Sequence, residues 1–338
     1  MANTDWAIVV GVQTYPGLTD LGGPKNDADA VCEWLVDANG GGLAPNHVKL
    51  AVTPPNKPFR TADDAEPTEV KVRKAAESIQ NQALQNLHKT GRKYVGRRLY
   101  LYFAGHGFSP RTDQTALLMA DATKQHVGPP YHWLGDYTAN WFWQAGYFDE
   151  ILLFMDCCRE SYDVPAVNMP WTDEFAPDFK QRVKRFYAFA TGWTLLSREL
   201  PDPKGKVRGI FTRTLLKGLR GRAAEANSGR ITTKSLQKYL TDSINELKDS
   251  DFVCDDFVIA SVAAVAGFPI GIKIPAQAAG HRVEVWNTTR MVDFTNANGA
   301  GIWQVNLEKG LYKTLIPDLG LKKLFEVNGA GEPDVDFD

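Results

Sequence analysis

The chain has 338 residues, 43% hydrophobic and 23% charged, with a formal net charge of −2. That length holds one large domain or a large and a small one, and the composition is that of an ordinary soluble globular protein. The near-neutral balance gives no drive toward nucleic acid or an acidic membrane. The longest uncharged run, Phe257 to Ile272, is broken by Ser261, Gly267, Pro269 and Gly271 and falls short of the roughly 20 residues a spanning helix needs.

Met1 to Trp6 carry no basic stretch ahead of a short apolar run, which predicts no signal peptide. "WAIVVGV" (Trp6 to Val12) is a buried strand by its continuous apolar character. "KNDADAVCEWLVDANGGG" follows with Ala28, Val31, Cys32 and Leu35 at helical spacing and glycines from Gly40 to close it. "VKLAV" (Val48 to Val52) is the next strand. "TEVKVRKAAESIQNQALQNLHKT" is a helix with Thr68 at its N-cap and Gly91 just past its end. "RRLYLYFAG", "EILLFMD" and "RFYAFAT" are further strands. The aromatic stretch "YHWLGDYTANWFWQAGYF" is expected to pack as a helix against the sheet, and "FTRTLLKGLRG" and "TTKSLQKYLTDSINELKD" are helical.

Strands that are apolar throughout and alternate with helices predict a mainly parallel sheet covered on both faces, with ligands at the carboxyl ends of its strands. Two unusual segments stand there, "AGHG" and "DCCRE". From about Gly271 the pattern turns strand-like, with turn signals at Asn298-Gly299 and Lys309-Gly310. The predicted division is residues 1–268 for the α/β domain, 271–331 for a small β-rich accessory domain of sandwich type, and 332–338 for a frayed acidic tail.

A nucleophilic cysteine needs a base close by, an exposed position and donors for the developing oxyanion. His106 lies between Gly105 and Gly107 directly after a strand, where flanking glycines leave the ring unshielded. Cys157 and Cys158 close another strand, and neighbouring residues of an extended strand point to opposite faces, so one thiol can meet the histidine while the other packs inward. The residue types alone do not choose between the two. Backbone N–H groups of Gly107 and of the attacking cysteine are the candidate oxyanion donors. A zinc site from His126, His132, Cys157 and Cys158 matches no standard ligand spacing. Cys32 and Cys254 are remote from the adjacent pair, so no disulfide framework is expected, and a reduced, cytoplasmic protein is predicted.

Chain order is histidine before cysteine, 52 positions apart, and here the residues resemble the caspase/metacaspase superfamily of cysteine peptidases. "WAIVVGVQTYPGLTDLGGPKNDADAVCEWL" resembles the family's first strand and Asn-Asp helix start, "LYFAGHG" its histidine motif, "DCCRE" its Asp-x-Cys motif, and "IFTRTLLKGLRG" a segment recurrent in bacterial members. The resemblance covers roughly Trp6 to Ala260. It implies a caspase-like sheet sandwiched by helices, His106 as base or ion-pair partner, and Cys158 as nucleophile by the Asp-x-Cys register. In the metacaspase branch the acids at the positions of Asp27 and Asp156 form the pocket for the side chain before the scissile bond. Two carboxylates there suit arginine or lysine, where a pocket for aspartate needs arginines. Ala104, Pro24 and Arg159-Glu160 depart from the metacaspase pattern, which more often has serine, cysteine and His-Ser.

The resemblance further implies an extended substrate beside "ATGWT", with Trp193 as a groove wall. It also implies a cleavable linker in "YDVPAVNMPWTDEFAPDFKQRVKR", where Lys180, Arg182, Lys184 and Arg185 are candidate cleavage sites, or in "SRELPDPKGKVRG". No cofactor is expected. Asp113, Asp121, Asp136, Asp149 and Glu150 show no calcium-loop spacing, so calcium dependence is not predicted. The function implied is a bacterial endopeptidase cleaving protein substrates after Arg or Lys within a regulated cascade of stress or defence, with an activating protein or protease as partner and neither nucleic acid nor membrane. The alternative is a caspase-like scaffold with weak or no catalysis, acting through its β-rich domain.

Overall fold

The structure is a computed structural model and describes residues 4–55, 59–111, 114–127, 131–161, 175–192, 197–201, 205–225, 228–243, 247, 250–262, 267–288, 290–308, 310–327 and 334–337. Two compact units emerge from the contacts: Met1–Leu216 with Asp249–Phe257, and Lys217–Lys248 with Val258–Asp338. The second unit thus begins before the division predicted at 268–271.

The first unit is built on a six-stranded sheet in the order Asp251–Cys254, Lys184–Phe189, Phe148–Asp156, Gly96–Ala104, Trp6–Gly11, Val48–Val52. All neighbouring pairs are parallel except at the Asp251–Cys254 edge, which runs antiparallel to Lys184–Phe189. Leu99 to Phe103 and Ile151 to Met155 are buried along their whole length, as strands covered on both faces require. Arg98 is the buried cation of the Gly96–Ala104 strand. It stands opposite Glu150 in register, and its Nε donates to Glu150 Oε2 at 2.7 Å while Nη1 donates to the Tyr100 hydroxyl at 2.8 Å, so the charge is paired.

Helices Pro24–Val36, Glu69–Thr90, Gly135–Ala145 and Ile210–Lys217 complete the α/β pattern. The Glu69–Thr90 helix ends as its sequence predicts: Gly91 takes φ +73°, a left-handed conformation glycine adopts freely, and donates to Leu87 O. The aromatic stretch forms the Gly135–Ala145 helix, which buries Trp141 and Phe142 against Tyr147 and Phe148.

Gly11, Ala104 and Asp156 lie level across three adjacent strands. From Trp6–Gly11 the chain moves to one side of the sheet and then returns to add Gly96–Ala104 on the other. The strand order therefore reverses between these two, where open α/β sheets bind their ligands. The "AGHG" and "DCCRE" segments leave the sheet at that edge.

The second unit contains helix Thr233–Ser243, a two-stranded sheet of Phe268–Ile274 and Gly301–Leu307, and a four-stranded antiparallel sheet of Met291–Asn296, Arg282–Trp286, Gly310–Ile316 and Leu321–Val327. Ile270, Ile272, Val283, Val285, Val305 and Ile316 share one small core. The tail predicted to fray is instead docked over 334–337, with Val335 and Phe337 in that core. Alternate apolar residues give an acidic segment a reason to fold back that its net charge conceals.

Candidate active site

His106 is held by the loop that follows the first strand. Its backbone N–H donates to the Tyr15 hydroxyl at 3.0 Å, and that hydroxyl donates onward to Leu118 O at 3.2 Å. Gly105 takes φ +152°, and a Cβ there would lie 2.6 Å from the Tyr15 oxygen, so only glycine turns the chain here with the tyrosine in place. The His106 ring tilts over Tyr15 with centroids 4.8 Å apart, and Nε2 lies 2.7 Å from Thr19 O. A carbonyl oxygen only accepts, so Nε2 carries the proton and Nδ1 is left as the basic nitrogen of the neutral ring.

The cysteine segment meets this loop directly. Gly105 N–H donates to Asp156 O at 3.3 Å. A Cβ on Gly107 would stand 2.6 Å from Cys157 Sγ and 2.7 Å from Cys158 O, so the glycine is what permits the approach. Cys157 is 2% exposed, and burial pushes its thiol well above the ordinary range, which disfavours a thiolate. Cys158 is half-buried and lines, with His106, a cavity of about 240 Å³. The burial of Cys157 gives a physical basis for choosing Cys158, which the sequence reached only through resemblance.

Asp27 and Asp156 line the same cavity. Asp27 sits in the first turn of the Pro24–Val36 helix; its Oδ2 accepts the Gly209 N–H at 2.7 Å and its Oδ1 accepts Arg208 Nε at 2.9 Å. Asp156 accepts Ser197 Oγ at Oδ1, 2.7 Å, and both the Oγ1 (2.7 Å) and N–H (3.2 Å) of Thr212 at Oδ2. Gly209 lies against both carboxylates, and a Cβ there would collide with Asp156 Oδ2. Burial and the neighbouring Asp156 charge raise Asp27 to about 7, outweighing the opposing hydrogen bonds from Gly209 and Arg208. Burial likewise raises Asp156 against the hydrogen bonds from Ser197 and Thr212. Pro24 and Ala104, two of the three departures from the metacaspase pattern, are apolar wall of this cavity.

Glu199 is a third carboxylate in the cavity that sequence reasoning missed. It arrives on a hairpin of Glu199–Pro201 and Val207–Gly209, and its two oxygens accept the N–H groups of Gly22 and Gly23, each at 3.0 Å. The same hairpin delivers Arg208 to Asp27. No local pattern in "SRELP" marks Glu199, since its partners are more than 170 positions away. Tyr15 and Thr19, which orient His106, were missed for the same reason.

The candidate cleavage sites need correction. Lys184 and Arg185 open the Lys184–Phe189 strand and stand in register with Glu150 and Ile151 of the central sheet, and Arg185 O accepts the Asp255 N–H at 2.9 Å on the other side. Arg185 lies over the Trp143 ring at 3.8 Å. A peptidase binds its substrate as an extended, unpaired segment, so neither bond is offered for cleavage in the folded chain. Arg182 is also engaged: Nη2 donates to Gly146 O at 2.9 Å and the guanidinium pairs with Asp149 and Asp178. Lys180 lies in the short Phe179–Arg182 helix. Trp193 and the stretch 162–174 fall outside the described residues. Of the acids considered for calcium, Asp149 accepts from Tyr94, Glu150 pairs with Arg98, and Asp136 is buried at the start of the Gly135–Ala145 helix. Asp113 is outside the described residues.

A half-buried thiol and an oriented imidazole thus line one acidic cavity at the switch point of the sheet, residue types that acyl transfer can use. The caspase-domain peptidase family model matches residues 4–251, and the chain belongs to that family. It is 25% identical over 233 residues to a probable protease of a Desulfuromonadales bacterium, covering 64% of this chain and 26% of that protein, so it spans about a quarter of that relative's length. Among solved structures it is similar to caspase-1 from Spodoptera frugiperda (TM-score 0.45, 13% identity, 78% of this chain and 92% of the other). It is similar also to the pro-form, pro-Sf-caspase-1 (TM-score 0.40, 11% identity, the same coverage). No helix among the described residues is long and apolar enough to cross a membrane.

Proposed function

We propose that the chain is a cysteine endopeptidase that cleaves proteins after arginine or lysine, with Cys158 as nucleophile and His106 as base. The observation that carries this reading is the convergence of Asp27, Asp156 and Glu199 on the cavity that also holds His106 and Cys158. Arg208 offsets one of these charges at Asp27, and the surplus favours a cationic side chain.

In the proposed reaction His106 Nδ1 takes the proton of the Cys158 thiol as sulfur attacks the carbonyl carbon. The Gly107 and Cys158 N–H groups receive the oxyanion. Collapse of the tetrahedral species breaks the C–N bond, and the imidazolium returns its proton to the leaving amine. Water, deprotonated by the same imidazole, then hydrolyses the thioester and frees Cys158. Every step uses groups of this chain, with no cofactor. A cytoplasmic setting, an activating partner and a place in a regulated cascade belong to the same proposal.

The test is a fluorogenic peptide panel varying only the residue before the scissile bond. Arginine and lysine peptides are expected to turn over, with aspartate and neutral peptides at least a hundredfold slower. Preferred cleavage after aspartate would overturn the pocket. Silence on every peptide, with or without calcium, would turn the reading toward a non-catalytic scaffold.

The raised Asp27 adds a pH signature. Its folded pKa of about 7 lies above the ordinary carboxylate value, so the native state holds a proton that the unfolded chain releases. This group's contribution to stability therefore falls as pH rises from about 4 to about 7. The ionised form binds the substrate cation. The ratio of kcat/KM for arginine over glutamine peptides is accordingly expected to rise with pH up to about 7 and then level off. A ratio constant from pH 5 to pH 8.5 would remove Asp27 from substrate binding.

A further inference from the structure

The second unit carries a built groove that is already occupied. Its Phe268–Ile274 strand pairs on one edge with Gly301–Leu307. On the other edge it receives the end of the chain: Val335 N–H donates to Gly271 O at 2.7 Å, and Lys273 N–H donates to Val335 O at 2.8 Å. Side chains of this added segment alternate as an extended strand requires. Val335 and Phe337 enter the core, each 8% exposed. Asp334 accepts Lys217 Nζ at 2.7 Å and Arg222 Nη2 at 2.6 Å, and Asp336 accepts Lys273 Nζ at 2.9 Å. A Cβ on Gly271 would strike both the Arg222 guanidinium and the Asp334 carboxylate, so the glycine marks where the ion pair crosses the strand.

A basic cavity adjoins the seat of the 334–337 segment. Beside Asp334 opens a cavity of about 420 Å³ lined by Lys217, Arg220 and Arg222, with Gln304 and Asn306 from the neighbouring strand. Among the described residues of that lining, Asp334 is the sole carboxylate beside these three cations. The Arg222 side chain is only 8% exposed, whereas Lys217 is 41% exposed and Arg220 lies open.

We propose that this groove is a docking site for an extended acidic segment of a partner protein, of the pattern Asp-apolar-Asp-aromatic, and that the chain's own 334–337 segment holds the groove in cis. Strand addition supplies backbone bonds to any sequence, and the two apolar seats with the flanking cations select the alternating pattern. The tail is a local competitor at high effective concentration, so a partner segment must be longer or more acidic to displace it. Acids beside the Asp334 position of a partner segment would meet Lys217, Arg220 and the adjoining cavity. The proposal is independent of peptidase activity.

The probe is a fluorescein-labelled peptide of the last seven residues, EPDVDFD, read by anisotropy against the full chain. Asp334→Lys with Asp336→Lys in the chain removes the cis competitor, and the peptide is expected to bind that variant at least tenfold more tightly than the unaltered chain. Adding Lys217→Glu and Arg220→Glu should abolish the gain, and raising salt should weaken binding. Phe337→Ser, a milder release of the tail, should give an intermediate affinity. Equal affinity for all these chains would overturn the proposal. So would loss of cooperative unfolding in both tail variants, since the segment would then be a structural strand rather than an exchangeable occupant. Concentration-dependent dimers of the unaltered chain, absent from the tail variants, would assign the groove to tail exchange between copies and equally overturn it.

Discussion

Cys158→Ala is expected to remove turnover of arginine peptides, by on the order of 10⁶-fold in kcat, down to the residue that binding and the oxyanion donors sustain without a nucleophile. Cys157→Ala should leave kcat within about threefold. The contrast follows from burial: Cys157 is 2% exposed with its thiol held protonated, and Cys158 reaches the cavity shared with His106. Cys157→Ala removes only a small apolar contact inside the core and should cost about 1 kcal/mol of stability, measured by urea unfolding. Active-site titration with an arginine-based electrophile completes the pair. Labelling should vanish in Cys158→Ala and persist in Cys157→Ala. Labelling carried instead by Cys157 would reverse the assignment.

Asp156→Asn should produce the second large effect, a loss of kcat/KM for arginine and lysine peptides of roughly 30- to several-thousand-fold, with neutral peptides little changed. This corresponds to the 2–5 kcal/mol lost when one partner of a buried charge pair is removed. The substitution is close to a pure charge test. An Asn oxygen can keep both Thr212 donors, and its amide can donate to Ser197, whose hydroxyl rotates to accept. Asp27→Asn is a harsher change. Both Asp27 oxygens accept from fixed N–H donors, Gly209 and Arg208, so the Asn amide must face one of them and stability should fall by about 1–3 kcal/mol as well. Glu199→Gln should be milder, about tenfold, because Glu199 is only partly buried and its oxygens already bind Gly22 and Gly23. If Asp156→Asn lowered arginine and neutral substrates alike, the carboxylate would be structural and the basic specificity would fall.

How much of this was legible beforehand depends on the range over which each signal acts. Alternation of apolar strands with helices is a local property, and it predicted the parallel sheet, the Gly135–Ala145 helix and the two motifs at the strand ends. The charge of Asp27 and Asp156 is also written in the chain, and resemblance to metacaspases grouped both with Cys158, whose cavity they line. What periodicity reports is burial, without the partner. It therefore left Cys157 and Cys158 equivalent until one thiol was found in the core. It started the strand at Arg185 yet could not show that Lys184 and Arg185 are held in register with Glu150 and Ile151, because a basic pair at the start of a strand looks the same as a basic loop. The acidic composition of the last residues suggested fraying and concealed two buried apolar anchors.

The sequence by itself determined the fold class, the histidine and cysteine motifs and the sign of charge at two pocket positions. Only the tertiary structure decided which thiol reaches the cavity that His106 lines, that Thr19 O fixes the imidazole tautomer, that Glu199 enters the cavity and that Arg208 pairs with Asp27. The reason is physical: Glu199 meets Gly22 and Gly23, and Arg208 meets Asp27, across 176 to 181 positions of chain. Such contacts are set by how the sheet and its hairpin pack, and they impose no repeat on the residues that make them.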